Sequence, residues 1–144
     1  MSISKDEIKA RLMEIGQEST CVRRKVGAIL VDKKGHIVKA YNGNLLKPCT
    51  RDECLRYKLK IKPGITHSLC YGIHAEIRLV LKCLEAGIDI KGATVYCIYS
   101  PCVDCAAVLA TYGIKAFYFL YEYPDNRFVS IFRQANIEFG LIFK

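Results

Sequence analysis

Apolar residues recur at helical spacing from the start of the chain. Ile8, Leu12 and Ile15 fall on one face of residues 4 to 18, behind Ser4 as an N-cap, so this stretch is expected to form an amphipathic helix. The period then changes. KVGAILVD and HIVKAYN are β-rich runs separated by the turn-like KKG, which predicts a β-hairpin with His36 on its surface shoulder. A helix is expected over about residues 74 to 86, ended by Gly87, followed by the strand GATVYCIYS. Pro101 opens a second helix in PCVDCAAVLATYG, at a first-turn position where its missing N–H costs little. IKAFYFLYE reads as a strand, residues 125 to 135 as a helix and NIEFGLIF as a last strand. Strands interleaved with helices of this length predict one domain over residues 1–144, an α/β fold built as a three-layer αβα sandwich on a mixed sheet. Residues 43 to 73 break the pattern, with no clean period, two prolines and three cysteines. An irregular insertion of that length needs a staple or a function.

Composition changes this picture little. The chain of 144 residues is 51% hydrophobic and 25% charged, as in an ordinary globular domain, and has no internal repeat. Its longest apolar runs, such as VGAILV, fall well short of the roughly 20 residues that span a bilayer. The charged, amphipathic opening lacks the apolar centre of a secretory leader. Eight cysteines in such a chain point to a reducing cytoplasm, where they serve as metal ligands or redox groups more often than as disulfides. The net charge of +8 favours an anionic partner, either a phosphate-bearing small molecule or a nucleic acid. Much of the excess lies in LLKPCTRDECLRYKLKIKPG, which is equally compatible with a solvated face.

Two stretches carry candidate chemistry. YGIHAEIRL sets His74 two positions before Glu76. On an ideal helix the two lie about 200° apart, so taken alone they mark no more than a solvated edge. SPCVDCAAV sets Cys102 and Cys105 three apart at a helix start, pointing about 60° from one another. The helix dipole and free amides there favour thiolates, which suits Zn²⁺ or a thioredoxin-like dithiol equally. His74 breaks the tie, because a histidine and two cysteines make the three protein ligands of a catalytic zinc site with one open position. A thioredoxin-like centre also leaves Glu76 unexplained.

The order His-x-Glu and then Pro-Cys-x-x-Cys, here His74, Glu76, Pro101, Cys102 and Cys105, is associated with zinc-dependent nucleobase deaminases. STCVRRKVGAILV at residues 19 to 31, AYNG at 40 to 43, the C-x4-C of Cys49 and Cys54, and GATVYCIYSPCVDC followed by YGIKAFYFLYEY extend the match over nearly the whole chain. The chain thus resembles the cytidine deaminase superfamily and, within it, the deoxycytidylate (dCMP) deaminases. The resemblance implies a five-stranded mixed sheet flanked by helices, with catalytic Zn²⁺ on His74, Cys102 and Cys105. It implies hydrolytic deamination of a cytosine nucleotide, dCMP to dUMP plus ammonia, by attack of activated water at C4 with Glu76 shuttling protons. It further implies that the backbone N–H of Ala75 holds the base carbonyl, that Asn42 helps anchor the nucleoside, and that the protein assembles as a homo-oligomer, a dimer or a hexamer. Arg78 lies four residues after His74 and is a candidate for the 5′-phosphate, a solvated surface arginine being its alternative.

Some dCMP deaminases carry an additional structural zinc, and Cys21, Cys49, His67 and Cys70, with Cys54 as a substitute, resemble its ligands. A closed metal site would order an insertion that buries too little apolar area by itself. Cys83 and Cys97, inside helix and strand patterns, are expected in the core. Arg78 stands where the family commonly has asparagine, and NLLKP replaces the usual Pro-x-Gly after YNG. These departures leave substrate contacts and regulation by deoxycytidine triphosphate open. Two alternatives stand beside the nucleotide deaminase: a deaminase acting on a base within RNA or DNA, and a CxxC redox or zinc-structural protein. The first would track a backbone with the basic insertion and bind less tightly as salt rises.

Overall fold

The computed structural model describes residues 3–44, 50–51, 54–63 and 72–143. Five strands form one mixed sheet in the order β2-β1-β3-β4-β5. They are β1 (Gly27–Val31), β2 (Ile37–Tyr41), β3 (Thr94–Tyr99), β4 (Ala116–Tyr121) and β5 (Glu138–Leu141). β1 pairs antiparallel with both β2 and β3, whereas β3, β4 and β5 run parallel. The helices are α1 (Lys5–Gly16), α2 (Leu55–Lys58), α3 (Ala75–Ala86), α4 (Val103–Thr111) and α5 (Phe128–Gln134). The parallel strands are joined through α4 and α5, as crossover connections require.

Strand alternation sorts the core into two layers. Ala28, Leu30, Val95, Cys97, Phe117 and Phe119 face one side and pack with α3, α4 and α5. Ile29, Ile98 and Leu120 face the other and meet Ile8, Leu12 and Ile15 of α1. Both faces of the sheet are therefore covered, which completes the expected three-layer sandwich. α1 sits very close to β1. A side-chain carbon at Gly27 would stand 2.5 Å from the Leu12 carbonyl oxygen, so only glycine fits there.

The local signals at helix ends behave as expected in two places. Ser4 Oγ accepts the Glu7 N–H at 3.1 Å, and Gly87 closes α3 with φ of +69°. Two others differ. α4 starts at Val103, with Pro101 outside the helix, because Cys102 is extended and serves as N-cap. α5 starts at Phe128, because the carboxylate of Asp125 holds Arg127 in a turn before it. The insertion contains the four-residue helix α2, which no periodicity marked. Its base is pinned where Gly43 and Ile73 exchange backbone hydrogen bonds of 3.1 and 2.9 Å. Among the described residues no helix is long and apolar enough to cross a membrane.

Candidate active site

Two helix N-termini and the C-terminal end of β3 converge on one cavity. His74 is the N-cap of α3, with φ and ψ of −66° and 149°, and Cys102 is the N-cap of α4, with −71° and 169°. Neither side chain caps its own helix. Because His74 is extended rather than helical, the angular separation of an ideal helix does not apply to it. Its imidazole and the Glu76 carboxyl both line the cavity. Cys105, the third residue of α4, uses the spacing at which an N-cap side chain ordinarily reaches back to its helix.

His74 Nδ1 lies 3.2 Å from Cys105 Sγ and 3.5 Å from Cys102 Sγ, and all three candidate ligand atoms fall within 4.8 Å of one another. Ligands at about 2.0–2.3 Å from a tetrahedral zinc stand roughly 3.3–3.8 Å apart, so the set fits that ion in spacing and in chemistry. The three groups share protons among themselves. Hydrogen bonds from Cys105 and then His74 hold the Cys102 thiol down at about 4 against its burial, and the bond to Cys102 in turn raises His74. Cys105 is driven well up by the same sulfur contact and by burial. A metal ligand must be deprotonated, so a cation here would displace the protons that His74 and Cys105 retain.

Glu76 is 5% exposed, and burial pushes its carboxyl up to about 7 despite the pull of His74. A carboxyl poised near neutrality suits both taking and giving a proton. Cys97 and Cys83 are both in the core as expected. Cys97 also lines the cavity, and burial first, with the Glu76 charge, keeps its thiol well above the ordinary range.

Three arginines line the same cavity: Arg56 from the basic stretch of the insertion, and Arg23 and Arg24, which were not assigned a role from the sequence. The Arg24 guanidinium is stacked between Tyr99 and Tyr123, 4.6 and 4.8 Å from their ring centroids. Arg23 donates through Nη2 to the Ile61 carbonyl, while its Nη1 is buried without a hydrogen-bond partner among the described residues. Arg56 donates to the Lys62 carbonyl at 3.3 Å. No described carboxylate forms an ion pair with Arg23 or Arg24. The available signal was the RRK run just before β1, which marks the strand's entry as a place for charge.

The chain matches the family described as the cytidine and deoxycytidylate deaminase zinc-binding region over residues 4–121. It belongs to the cytidine and deoxycytidylate deaminase family. Among its relatives, the ComE operon protein 2 of Bacillus subtilis is 31% identical over 83% of this chain; the chain spans 60% of that protein's length. The deoxycytidylate deaminase of Enterobacteria phage T4 is 32% identical, with 86% of this chain and 82% of that protein covered. The dCMP deaminase of cyanophage S-TIM5, solved in complex with dCMP and dUMP, superposes with a TM-score of 0.75 at 26% identity, covering 97% and 99% of the two chains.

Against the expectations for a deaminase of this family, the remaining residues divide. Ala75 lines the cavity as the first residue of α3. Asn42 lines it too, but its carbonyl oxygen accepts from Ser19 Oγ and, at 2.9 Å, from the Val26 N–H, while its amide donates to the Arg24 carbonyl at 2.8 Å. It ties the segment around Arg24 to the end of β2. Arg78 corrects the expectation of a pocket-facing clamp. It does not line the cavity, but is buried over the Tyr41 ring and donates to the Gly43 carbonyl at 3.2 Å, bracing the wall from behind. Of the second-zinc candidates, Cys21 and Cys54 line the cavity. Cys49, His67 and Cys70 lie outside the described residues.

Proposed function

We propose that the protein catalyses hydrolytic deamination of a cytosine nucleotide, dCMP to dUMP plus ammonia. One observation carries this reading: the His74, Cys102 and Cys105 donor set and the buried Glu76 carboxyl share a single cavity with three arginines. When held by these donors, zinc supplies a Lewis acid that makes water nucleophilic near neutral pH. Glu76 takes a proton from water and gives it to N3 of the pyrimidine, then carries the proton of the hydroxyl added at C4 to the amine, so that C4 keeps its oxygen as a carbonyl and ammonia leaves. Ala75, in the first turn of α3, has an N–H without an intrahelical partner, which suits the base carbonyl. Asn42 keeps one amide hydrogen for a nucleoside hydroxyl while its other bonds hold the Arg24 segment.

Arg24 and Arg23 read the 5′-phosphate. Arg24 is ordered in advance by its two tyrosines, and Arg23 Nη1 is a buried donor with no acceptor among the described residues. One charge-assisted contact is worth roughly 1.5–3 kcal/mol, so dCMP is expected to exceed deoxycytidine by at least about tenfold in kcat/KM. Arg24→Ala should shrink that ratio and leave deoxycytidine turnover little changed, whereas Arg78→Ala should affect both substrates alike. Equal efficiency on dCMP and deoxycytidine would refute the nucleotide reading. Turnover of a base within RNA or DNA, with every nucleotide inert, would replace it with the polymer-acting alternative.

Family membership supports a homo-oligomer and a cytoplasmic setting. We also propose a second, structural zinc on Cys21, Cys49, His67 and Cys70, with Cys54 as a substitute; Cys21 and Cys54 both line the cavity. Metal analysis should then find about two zinc per chain, one of them lost in Cys49→Ser. A single zinc untouched by Cys49→Ser would remove the second site.

A further inference from the structure

α4 has an unusual problem at its start. The N-cap position of a helix normally carries Ser, Thr, Asp or Asn, whose oxygen accepts one of the free N–H groups of the first turn. Here that position is Cys102, whose sulfur faces His74 and Cys105 and makes no cap bond. The missing acceptor comes from another loop. Asp125, between β4 and α5 and 7% exposed, accepts the Val103 N–H at Oδ2 with a distance of 3.1 Å.

The cap holds only while the carboxylate keeps one oxygen on the Val103 N–H, and Arg127 fixes that rotamer. Its Nε donates to Oδ1 and its Nη2 to Oδ2, each at 2.9 Å, in a bidentate pair. The Arg127 side chain is 64% exposed, so the pair does not depend on burying the arginine. The same loop is fastened to the end of β3 by Ser100, whose N–H donates to the Tyr121 carbonyl at 3.0 Å and whose Oγ accepts the Tyr123 N–H at 2.7 Å. Two loops that cap adjacent parallel strands are thereby zipped together next to Cys102.

We propose that Asp125 is a positioning residue for the Cys102–Cys105 ligand pair. It caps α4 from the β4–α5 loop so that Cys102 is free to bind metal, and Arg127 holds the capping carboxylate in place. This rests on the zinc reading above. Metal ligands are commonly oriented by partners one bond further out, whose loss weakens metal binding by about 10–100-fold.

The test uses the purified zinc-loaded protein and a chromophoric chelator, with absorption spectra of the cobalt-substituted protein as a second measure. Asp125→Ala is expected to release zinc at least about tenfold more readily and to shift the cobalt bands that report thiolate geometry. Asp125→Asn keeps an acceptor for Val103 and should hold zinc far better than Asp125→Ala. That rescue distinguishes a helix cap from a packing role. Arg127→Ala, at an exposed side chain, releases the carboxylate from its bidentate pair and should shift the cobalt bands in the same direction as Asp125→Ala but less, with no further shift in an Asp125→Ala background. If Asp125→Ala does not fold, Asp125→Asn and Arg127→Ala decide. Wild-type affinity and cobalt spectra in Asp125→Ala, an Asp125→Asn that releases zinc as readily as Asp125→Ala, or, where Asp125→Ala does not fold, an Arg127→Ala with wild-type cobalt spectra, would overturn the proposal while leaving zinc binding intact. A wild-type protein that binds neither metal would bring down the zinc reading and this proposal together.

Discussion

Glu76→Gln is expected to keep its zinc and its fold while losing about a thousandfold or more in kcat. The carboxyl is buried, so a neutral amide of the same shape is no harder to accommodate than the charged form it replaces. What the amide cannot do is accept a proton. Because the reaction needs the proton removed from water and then delivered to the substrate, one substitution disables more than one transfer, and single general acid–base steps are worth about 10²–10⁴ each. The check is kcat on dCMP beside zinc content and a melting curve for the same preparation. Near-wild-type turnover would remove Glu76 from the chemistry, and loss of zinc would make it part of the metal shell instead.

Cys105→Ala should abolish metal binding at the site and activity with it. Its sulfur is 3.2 Å from His74 Nδ1, and removing it leaves two protein ligands where the fit to zinc requires three. The loss of a buried thiol also costs some stability, so the comparison that matters is Cys83→Ala. Cys83 is buried in the same core, on α3, but does not line the cavity. Both variants should melt lower than wild type, and only Cys105→Ala should lose zinc by elemental analysis and resist reactivation by added metal. Full zinc retention in Cys105→Ala would move the site to other ligands.

The cysteine and histidine chemistry was legible because residue type and order carry it. A His-x-Glu followed by Pro-Cys-x-x-Cys names its donors wherever the helices begin. The relation of His74 to Glu76 was not legible, because it depends on which residue is the last extended one. If the helix began a residue earlier, helical geometry would swing the imidazole away from Glu76, whereas an extended N-cap lets both face the cavity. The same shift misplaces Arg78: counted along a helix it lies on the face of His74, but the structure seats it behind the wall, on Tyr41 and Gly43.

Periodicity and end signals determined α1, α3, the hairpin and the alternation of strands with helices, since each rests on neighbours a few residues apart. Burial follows from that alternation, so the two-sided core was also largely determined by the sequence alone. Only the tertiary structure decided which distant side chains meet. Placing β1 between β2 and β3 brings the segment entering β1, with Arg23 and Arg24, against Tyr99 at the end of β3. Setting β4 parallel beside β3 brings Tyr123 and Asp125 to Arg24 and to the first turn of α4. Arginine stacking and a cap supplied from another loop leave no local pattern, because their partners are joined through the sheet and not along the chain.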